Sequence, residues 1–255
     1  MGQTPYISVI MPSLNEEENI DGAIEDTLAS FDSFAIDGEL LIVNDGSTDA
    51  TPVRIQEWMT KDSRISRLDH ATPQGIGAAF WDGVDNAKGL NVVMLPGDNE
   101  NDPDEIFQYV ELLDKVDIVI PFLYNKETRS VFRNILSMIY RQIICTTFGI
   151  NFNYTNGTIL YRTSILKELP FRSSGFFFQT DILVRLAKKG YLFAEVPYKI
   201  NQRDTGKSKA VSFPSLIQVI KGYLNLTRGI YCKKTEPVEY AEDSATFQRK
   251  NKTRL

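Results

Sequence analysis

Four times between Tyr6 and Leu113, a short apolar run gives way to a polar turn and then to apolar residues at helical spacing. Tyr6–Met11 is the first strand. In "NEEENIDGAIEDTLASF", which follows, acids fill the first turn and Ile20, Ile24, Leu28 and Phe31 share one helix face. Glu39–Val43 is the second strand, ahead of "DGSTDATPVRIQEWMTK", where Thr48 or Asp49 caps a helix and Pro52 sits in its first turn. Arg64–Leu68 leads into a glycine loop and helix, "QGIGAAFWDGVDNA". Asn91–Leu95 precedes a helix expected over Asp104–Leu113, and Val116–Ile120 is a fifth strand. Such alternation predicts an α/β fold, a mainly parallel sheet with helices on both faces. Sheets of this kind take ligands at the carboxyl ends of their strands. Three polar clusters, "PSLNEEE", "NDGSTD" and "PGDNEND", fall at such ends and point to a nucleotide-type site.

The second half is less regular. "RSVFRNILSMIYRQIICTTFG" reads as a long helix with Val131, Ile135, Met138, Ile139 and Ile143 on one side. "TNGTILYRTSIL" reads as a strand and a turn, "QTDILVRLAKKG" as a helix ending at Gly190, and "YLFAEVPYKI" as a strand. "SFPSLIQVIKGYLNLTRGIY" is an amphipathic helix. From Lys233 the chain is polar and mixed in charge, the composition of a disordered or loosely packed tail. The expected organisation is one domain over residues 1–232, with a nucleotide-binding half to about 121 and an acceptor-binding half beyond it, then a polar tail over 233–255.

Composition narrows the class. A chain of 255 residues with 42% apolar and 24% charged residues has the makings of a sizeable core. A net charge of −5 gives no reason to expect nucleic acid as a partner. Cys145 and Cys232 make no disulfide or metal framework and read as reduced thiols in a cytosolic protein. The N-terminus lacks the basic region and apolar core of a signal peptide, and Tyr6 stands where N-myristoylation wants Ser or Thr. No uninterrupted apolar stretch reaches about 18 residues, so no spanning helix is expected.

Seven motifs follow one another in order: "PSLNEEENI", "VNDGSTDAT", "GIGAAF", "PGDNENDPDEI", "RNILS", "QTDILVRLAKKGY…EVPYKINQR" and "RDTGKSK". Together, from Ile7 to Ile230, they resemble family 2 glycosyltransferases with the GT-A nucleotide-diphospho-sugar transferase fold. Within that group the chain looks most like the polyprenol-phosphate sugar synthases, such as the dolichol-phosphate mannosyltransferases. The resemblance implies inverting transfer of a sugar from a GDP- or UDP-linked donor to polyprenyl phosphate. Two alternatives stand beside it. One is transfer to a sugar hydroxyl in surface-polysaccharide or glycan assembly. The other is a non-catalytic nucleotide-sugar-binding protein, which Pro96 motivates.

The resemblance also assigns residues. Pro12, Leu14 and Glu16 line the nucleotide pocket, although an acidic helix start explains Glu16 equally well. Asp45, at a strand tip, contacts base or ribose, Gly46 allows the turn, and Ser47 to Asp49 are structural. The small residues of "GIGAAF" pack beside the nucleotide; the third glycine of a dinucleotide fingerprint is missing. Alignment on Pro103 puts Pro96 at the family's first metal-motif Asp, Asp98 at the second and Glu100 at the Gln. Asp98 and Glu100 are the implied ligands of Mg²⁺ or Mn²⁺ on the donor diphosphate.

Arg133 and Ser137, four apart on one helix face, meet phosphate, with Arg129 as a further partner. Arg203, Ser208 and Lys209 clasp the diphosphate side. Asn156 and Gly157 stand where a small turn is common in the acceptor region. Asp181 is the acid near the acceptor, a general base for a hydroxyl or a positioning group for a phosphate. His70 reads as a strand-end residue, and Phe176–Phe178 as core. On the last amphipathic helix, Phe213, Leu216, Ile217, Ile220, Tyr223, Leu224, Ile230 and Tyr231 fall near one face beside Lys221 and Arg228. That face packs on the core, binds a membrane partner subunit, or lies on a membrane as a peripheral contact. The location implied is cytoplasmic, or peripheral on the cytoplasmic face of a membrane.

Overall fold

The computed structural model describes residues 4–124, 131–155, 157–169, 171–199, 213–232 and 239–252. Its centre is β1 (Ile7–Ser13), paired in parallel with β2 (Gly38–Asn44) on one side and β4 (Asn91–Met94) on the other. With β3 (Ile65–Asp69), β5 (Ile118–Leu123), β6 (Leu160–Arg162) and β7 (Phe193–Tyr198), the sheet has seven strands in the order β3-β2-β1-β4-β6-β5-β7. Among these strands β6 alone is antiparallel to its neighbours.

β1 and β2 are buried along their whole length, as strands covered on both faces must be. The two-residue period divides their side chains between two cores. Ile7, Val9 and Met11 join Leu40 and Ile42 beneath α1 (Ile20–Ser33) and α2 (Thr51–Lys61). Ile10 and Val43 point the other way, toward Phe80 and Val84 of α3 (Ile76–Asn86) and Ile182 and Leu183 of α7 (Phe178–Lys189). The expected face of α1, Ile20, Ile24, Leu28 and Phe31, is buried throughout. α2 begins after Ala50, and the Asp49 carboxylate accepts from the Thr51 amide at 3.0 Å. α7 ends at Gly190, whose φ of 86° is the left-handed cap that glycine adopts without strain.

Three expectations change. The helix expected over Asp104–Leu113 is two pieces, α4 (Pro103–Phe107) and a 3₁₀ turn, Val110–Asp114. Three residues per turn bring Val110 and Leu113 into line, and both are buried. The turn expected after β6 is a short helix, α6 (Thr163–Lys167). The tail, expected to be loosely packed, is docked over 239–252 and ends in α9 (Ala245–Lys252). Asp117, fully buried ahead of β5, accepts from the amides of Ala245 (2.7 Å), Thr246 (3.1 Å) and Leu192 (3.3 Å), and from the Thr246 hydroxyl. A polar anchor of this kind leaves no apolar signal in the tail itself.

α5 (Val131–Phe148) and α8 (Phe213–Tyr231) pack together over α7 through Ile144, Phe148, Phe177, Val184 and Leu226. Tyr223 turns inward with them, its hydroxyl 2.9 Å from that of Thr147. Their outer faces expose Ile135, Met138, Ile139 and Ile143 on α5, and Leu216, Ile217, Ile220 and Leu224 on α8. α8 therefore combines a core face and an exposed apolar face. Among the described residues no helix is long and apolar enough to cross a membrane.

Candidate active site

From β1 the chain winds outward to β2 and β3, then returns to the other side of β1 for β4. The strand order therefore reverses at β1, and sheets of this kind take ligands in the crevice at the carboxyl ends of the strands beside such a switch point. One wall is a seam between the loops after β1 and β2. The Asn15 amide donates to Ser47 Oγ (3.0 Å) and the Thr48 amide to Asn15 Oδ1 (2.8 Å). The Glu16 amide donates to Thr51 Oγ1 (2.8 Å) and the Ala50 amide to Glu17 Oε2 (2.8 Å). Pro12 is buried within β1, while Leu14 and Glu16 are partly exposed at its end. Glu16 Oε2 accepts from the Asn19 side chain at 2.9 Å.

The other wall is the loop after β4. Its pairing with β1 outlasts the strand: the Leu95 amide donates to Ile10 O (2.9 Å) and the Gly97 amide to Pro12 O (3.0 Å). The approach is close enough that a Cβ on Gly97 would lie 2.4 Å from Ser13 Oγ. This glycine sets Asp98 beside the end of β1. Asp98 Oδ1 accepts from the Glu100 amide at 3.3 Å. Asn101 locks the base of the loop, its Oδ1 accepting from Tyr198 Oη (2.7 Å) at the end of β7 and from Thr158 Oγ1 (3.3 Å) ahead of β6. Nothing in local sequence marks Asn101 for this role, because its partners stand 97 and 57 residues away.

Among the described residues no three His, Cys, Asp or Glu side chains gather as a metal cluster. A site closed by protein ligands alone does not fit. A site of one or two carboxylates completed by substrate phosphates does, since Mg²⁺ is commonly bound that way. Asp98 and Glu100 offer the hard oxygens it needs.

At the ends of β2 and β3, Asp45 is buried, and protein groups meet both its oxygens. The amides of Gln74 (2.7 Å) and Gly75 (2.8 Å) reach its two oxygens, and His70 Nδ1 lies 2.7 Å from Oδ1. The far nitrogen of His70 lies 2.9 Å from Asp82. His70 follows β3 as expected, but its two acidic partners left no trace in local sequence.

Asp181 lies in the first turn of α7, its side chain 2% exposed. Arg185 engages both its oxygens, at 2.7 and 3.1 Å. Burial pushes the Asp181 carboxyl above the usual carboxylate range, and Arg185 draws it partway back. The adjacent Thr180 hydroxyl meets Tyr140 of α5 at 2.8 Å, and Gln179 donates to Gly157 O at 2.7 Å. Phe177 and Phe178 are core, as expected of that triplet, whereas Phe176 is exposed. Arg133 and Ser137 belong to α5. Arg129, Asn156, Arg203, Ser208 and Lys209 lie outside the described residues.

Known proteins share this architecture. Over 171 residues the chain is 29% identical to dodecaprenyl-phosphate galacturonate synthase of Rhizobium johnstonii, covering 66% of this chain and 51% of that one. Over 207 residues it is 27% identical to undecaprenyl-phosphate 4-deoxy-4-formamido-L-arabinose transferase of Edwardsiella ictaluri, covering 80% and 62%. The chain thus spans between half and two thirds of the length of these relatives. Glucosyl-3-phosphoglycerate synthase of Mycobacterium tuberculosis, crystallised with UDP, superposes with a TM-score of 0.68 at 20% identity over 93% of this chain and 89% of its own. The same enzyme has been crystallised with Mn²⁺, UDP and its glucosylated product, at a TM-score of 0.62 and 21% identity over 88% and 80%. The sheet order, the crevice at its switch point and a family match over residues 8–170 agree: the chain belongs to glycosyl transferase family 2.

Proposed function

We propose that the chain transfers a sugar from a GDP- or UDP-linked donor to a polyprenyl phosphate, with inversion at the anomeric carbon. The observation that carries this reading is the convergence of Asp98 with the Pro12–Glu16 loop at the β1–β4 switch point of a family 2 chain. The two relatives, both polyprenyl-phosphate sugar transferases, supply the acceptor class. An oxygen of the acceptor phosphate attacks the anomeric carbon from the face opposite the diphosphate. The new C–O bond forms as the bond to the diphosphate breaks, and the nucleoside diphosphate leaves. The attacking oxygen is already anionic, so no general base is required. Asp181, with both oxygens engaged by Arg185, positions instead of deprotonating.

Mg²⁺ or Mn²⁺ on Asp98 and Glu100 supplies, when bound, neutralisation of the departing diphosphate. Arg203 and Lys209 serve the donor diphosphate. Arg129, Arg133, Ser137 and Ser208 serve the acceptor phosphate, where a guanidinium fork matches two oxygens. A panel of UDP- and GDP-sugars with undecaprenyl phosphate, read by product mass, tests the proposal. The expected products are a glycosyl phosphopolyprenol and free nucleoside diphosphate. Product on a sugar hydroxyl alone replaces the lipid acceptor by a glycan. No turnover with any donor leaves a nucleotide-sugar-binding protein.

Gly97→Ala is expected to slow turnover about tenfold or more, because lifting Asp98 from its place misaligns the reacting groups. The added methyl meets Ser13 Oγ at 2.4 Å and Ile20 Cδ1, in the core beneath α1, at 3.0 Å, so a loss of stability of about 1–3 kcal/mol is expected beside the kinetic defect, which is read in the folded fraction. Steady-state kinetics beside thermal unfolding check it.

A lipid acceptor also calls for a membrane surface. α5 and α8 contain no Asp or Glu in a chain with 33 of them, and Lys221 and Arg228 are exposed beside the apolar outer face. An apolar stripe with cationic flanks suits an anionic bilayer surface and a peripheral position. The protein is expected to float with anionic liposomes, and Leu216→Asp with Ile220→Asp and Leu224→Asp to abolish flotation without unfolding. Failure of the wild type to float assigns the face to a membrane partner subunit or a second copy.

A further inference from the structure

We infer that His70, held between Asp45 and Asp82, is a positioning residue for the donor nucleotide, acting through the turn at residues 72–75. The inference rests on the donor site proposed above. The imidazole is 8% exposed at its side chain, with Nδ1 2.7 Å from Asp45 Oδ1 and Nε2 2.9 Å from Asp82 Oδ2. Each ring nitrogen is within hydrogen-bond reach of a carboxylate, so the imidazole bridges the two. Asp45 is 5% exposed and Asp82 50% exposed at their side chains, so the ring joins a buried carboxylate to one at the surface.

What the ring holds is the turn. Asp45 takes the amides of Gln74 and Gly75 on its two oxygens. On one side this turn lies against the loop after β2, where a Cβ on Gly46 would sit 2.8 Å from the Thr72 carbonyl carbon. On the other side a Cβ on Gly77 would sit 2.5 Å from Ser174 O, in the segment that leads to α7. Trp81 Nε1 fastens the same segment through Ser173 O at 3.1 Å. Residues 72–77 are thus a wedge between the nucleotide wall and the lead-in to Asp181. Both contacts are made by glycines; the Trp81–Ser173 bond holds the α7 side independently, so a displacement of the turn falls on the nucleotide wall. Without the ring, Asp45 loses a hydrogen-bond partner and the two amides lose a fixed acceptor.

The test titrates UDP and GDP, with Mn²⁺ present, into the wild type, His70→Ala, His70→Gln and Asp82→Asn, and measures KM and kcat for donor and acceptor. His70→Ala is expected to weaken binding of the accepted nucleotide tenfold or more and to raise the donor KM in proportion, leaving the acceptor KM in place. His70→Gln, which can donate to one carboxylate, is expected to recover part of the loss. Asp82→Asn changes a half-exposed group, keeps the fold, and is expected to give an intermediate loss; it decides the matter if His70→Ala does not fold. Unchanged nucleotide affinity and donor KM in the folded variants overturn the inference and leave the proposed function standing. A wild type that binds neither nucleotide overturns both.

Discussion

Replacing Asp98 by Asn is expected to cut turnover a hundredfold or more, about 3 kcal/mol in the activation barrier. The size follows from what the site has to work with. No cluster of three metal-ligating side chains forms among the described residues, so a cation there depends on few protein oxygens. Pro96 offers no side-chain ligand, and Asp98 is the residue that the Gly97 contact fixes beside the end of β1. The change is isosteric and partly exposed, so the fold is expected to survive it. Glu100→Gln, further along the same loop, is expected to cost less. Chelation of divalent cations is expected to abolish turnover in the wild type and readdition of Mg²⁺ or Mn²⁺ to restore it. Full activity in chelator, or in Asp98→Asn, would falsify the assignment of the metal to this loop.

Asp117→Ala is expected to lose about 3–5 kcal/mol of stability, the range for removing one partner from a buried charged network. Three amides and a hydroxyl converge on this fully buried carboxylate, and Arg162 Nε stands 4.0 Å away. Truncation leaves those donors without an acceptor and opens a polar cavity. It also frees the start of α9, because Ala245 and Thr246 are held there. Denaturant unfolding measures the loss, and limited proteolysis is expected to cut first in the C-terminal segment. Asp117 precedes β5, at the amino end of a strand that runs parallel to β4 and so at the opposite end of the sheet from the site, and kcat in the folded fraction is expected to hold. A loss under about 1 kcal/mol overturns this account of the tail.

How much of this was legible beforehand differs by feature. The run Glu39–Val43 is apolar enough for burial on both faces, and the spacing of Ile20, Ile24, Leu28 and Phe31 marks one helix face. Such patterns are local: each element advertises its own solvent exposure within a dozen residues. The position of Asp98 was legible for a related reason, since the turn between a strand and a proline-started helix is also a local signal. The antiparallel insertion of β6 between β4 and β5 was not legible. Its register joins Val93 to Leu160, and nothing near either residue specifies that partner.

By itself, the sequence determined most strand and helix units of the first half, their order, the parallel habit of the sheet and the end of the strands where a ligand belongs. Hydrophobic period and turn chemistry carry that information along the chain. The tertiary structure alone decided which polar groups meet. It set Asp45 on His70 and on the turn at 72–75, placed Asn101 under Tyr198 and Thr158, and anchored α9 on Asp117. It also decided that α8 keeps one apolar face inside and one outside. These are side-chain contacts between residues 25 to 128 positions apart. A carboxylate, amide or hydroxyl is satisfied by any suitable partner within hydrogen-bond reach, so residue type does not name its partner until the fold brings the two together.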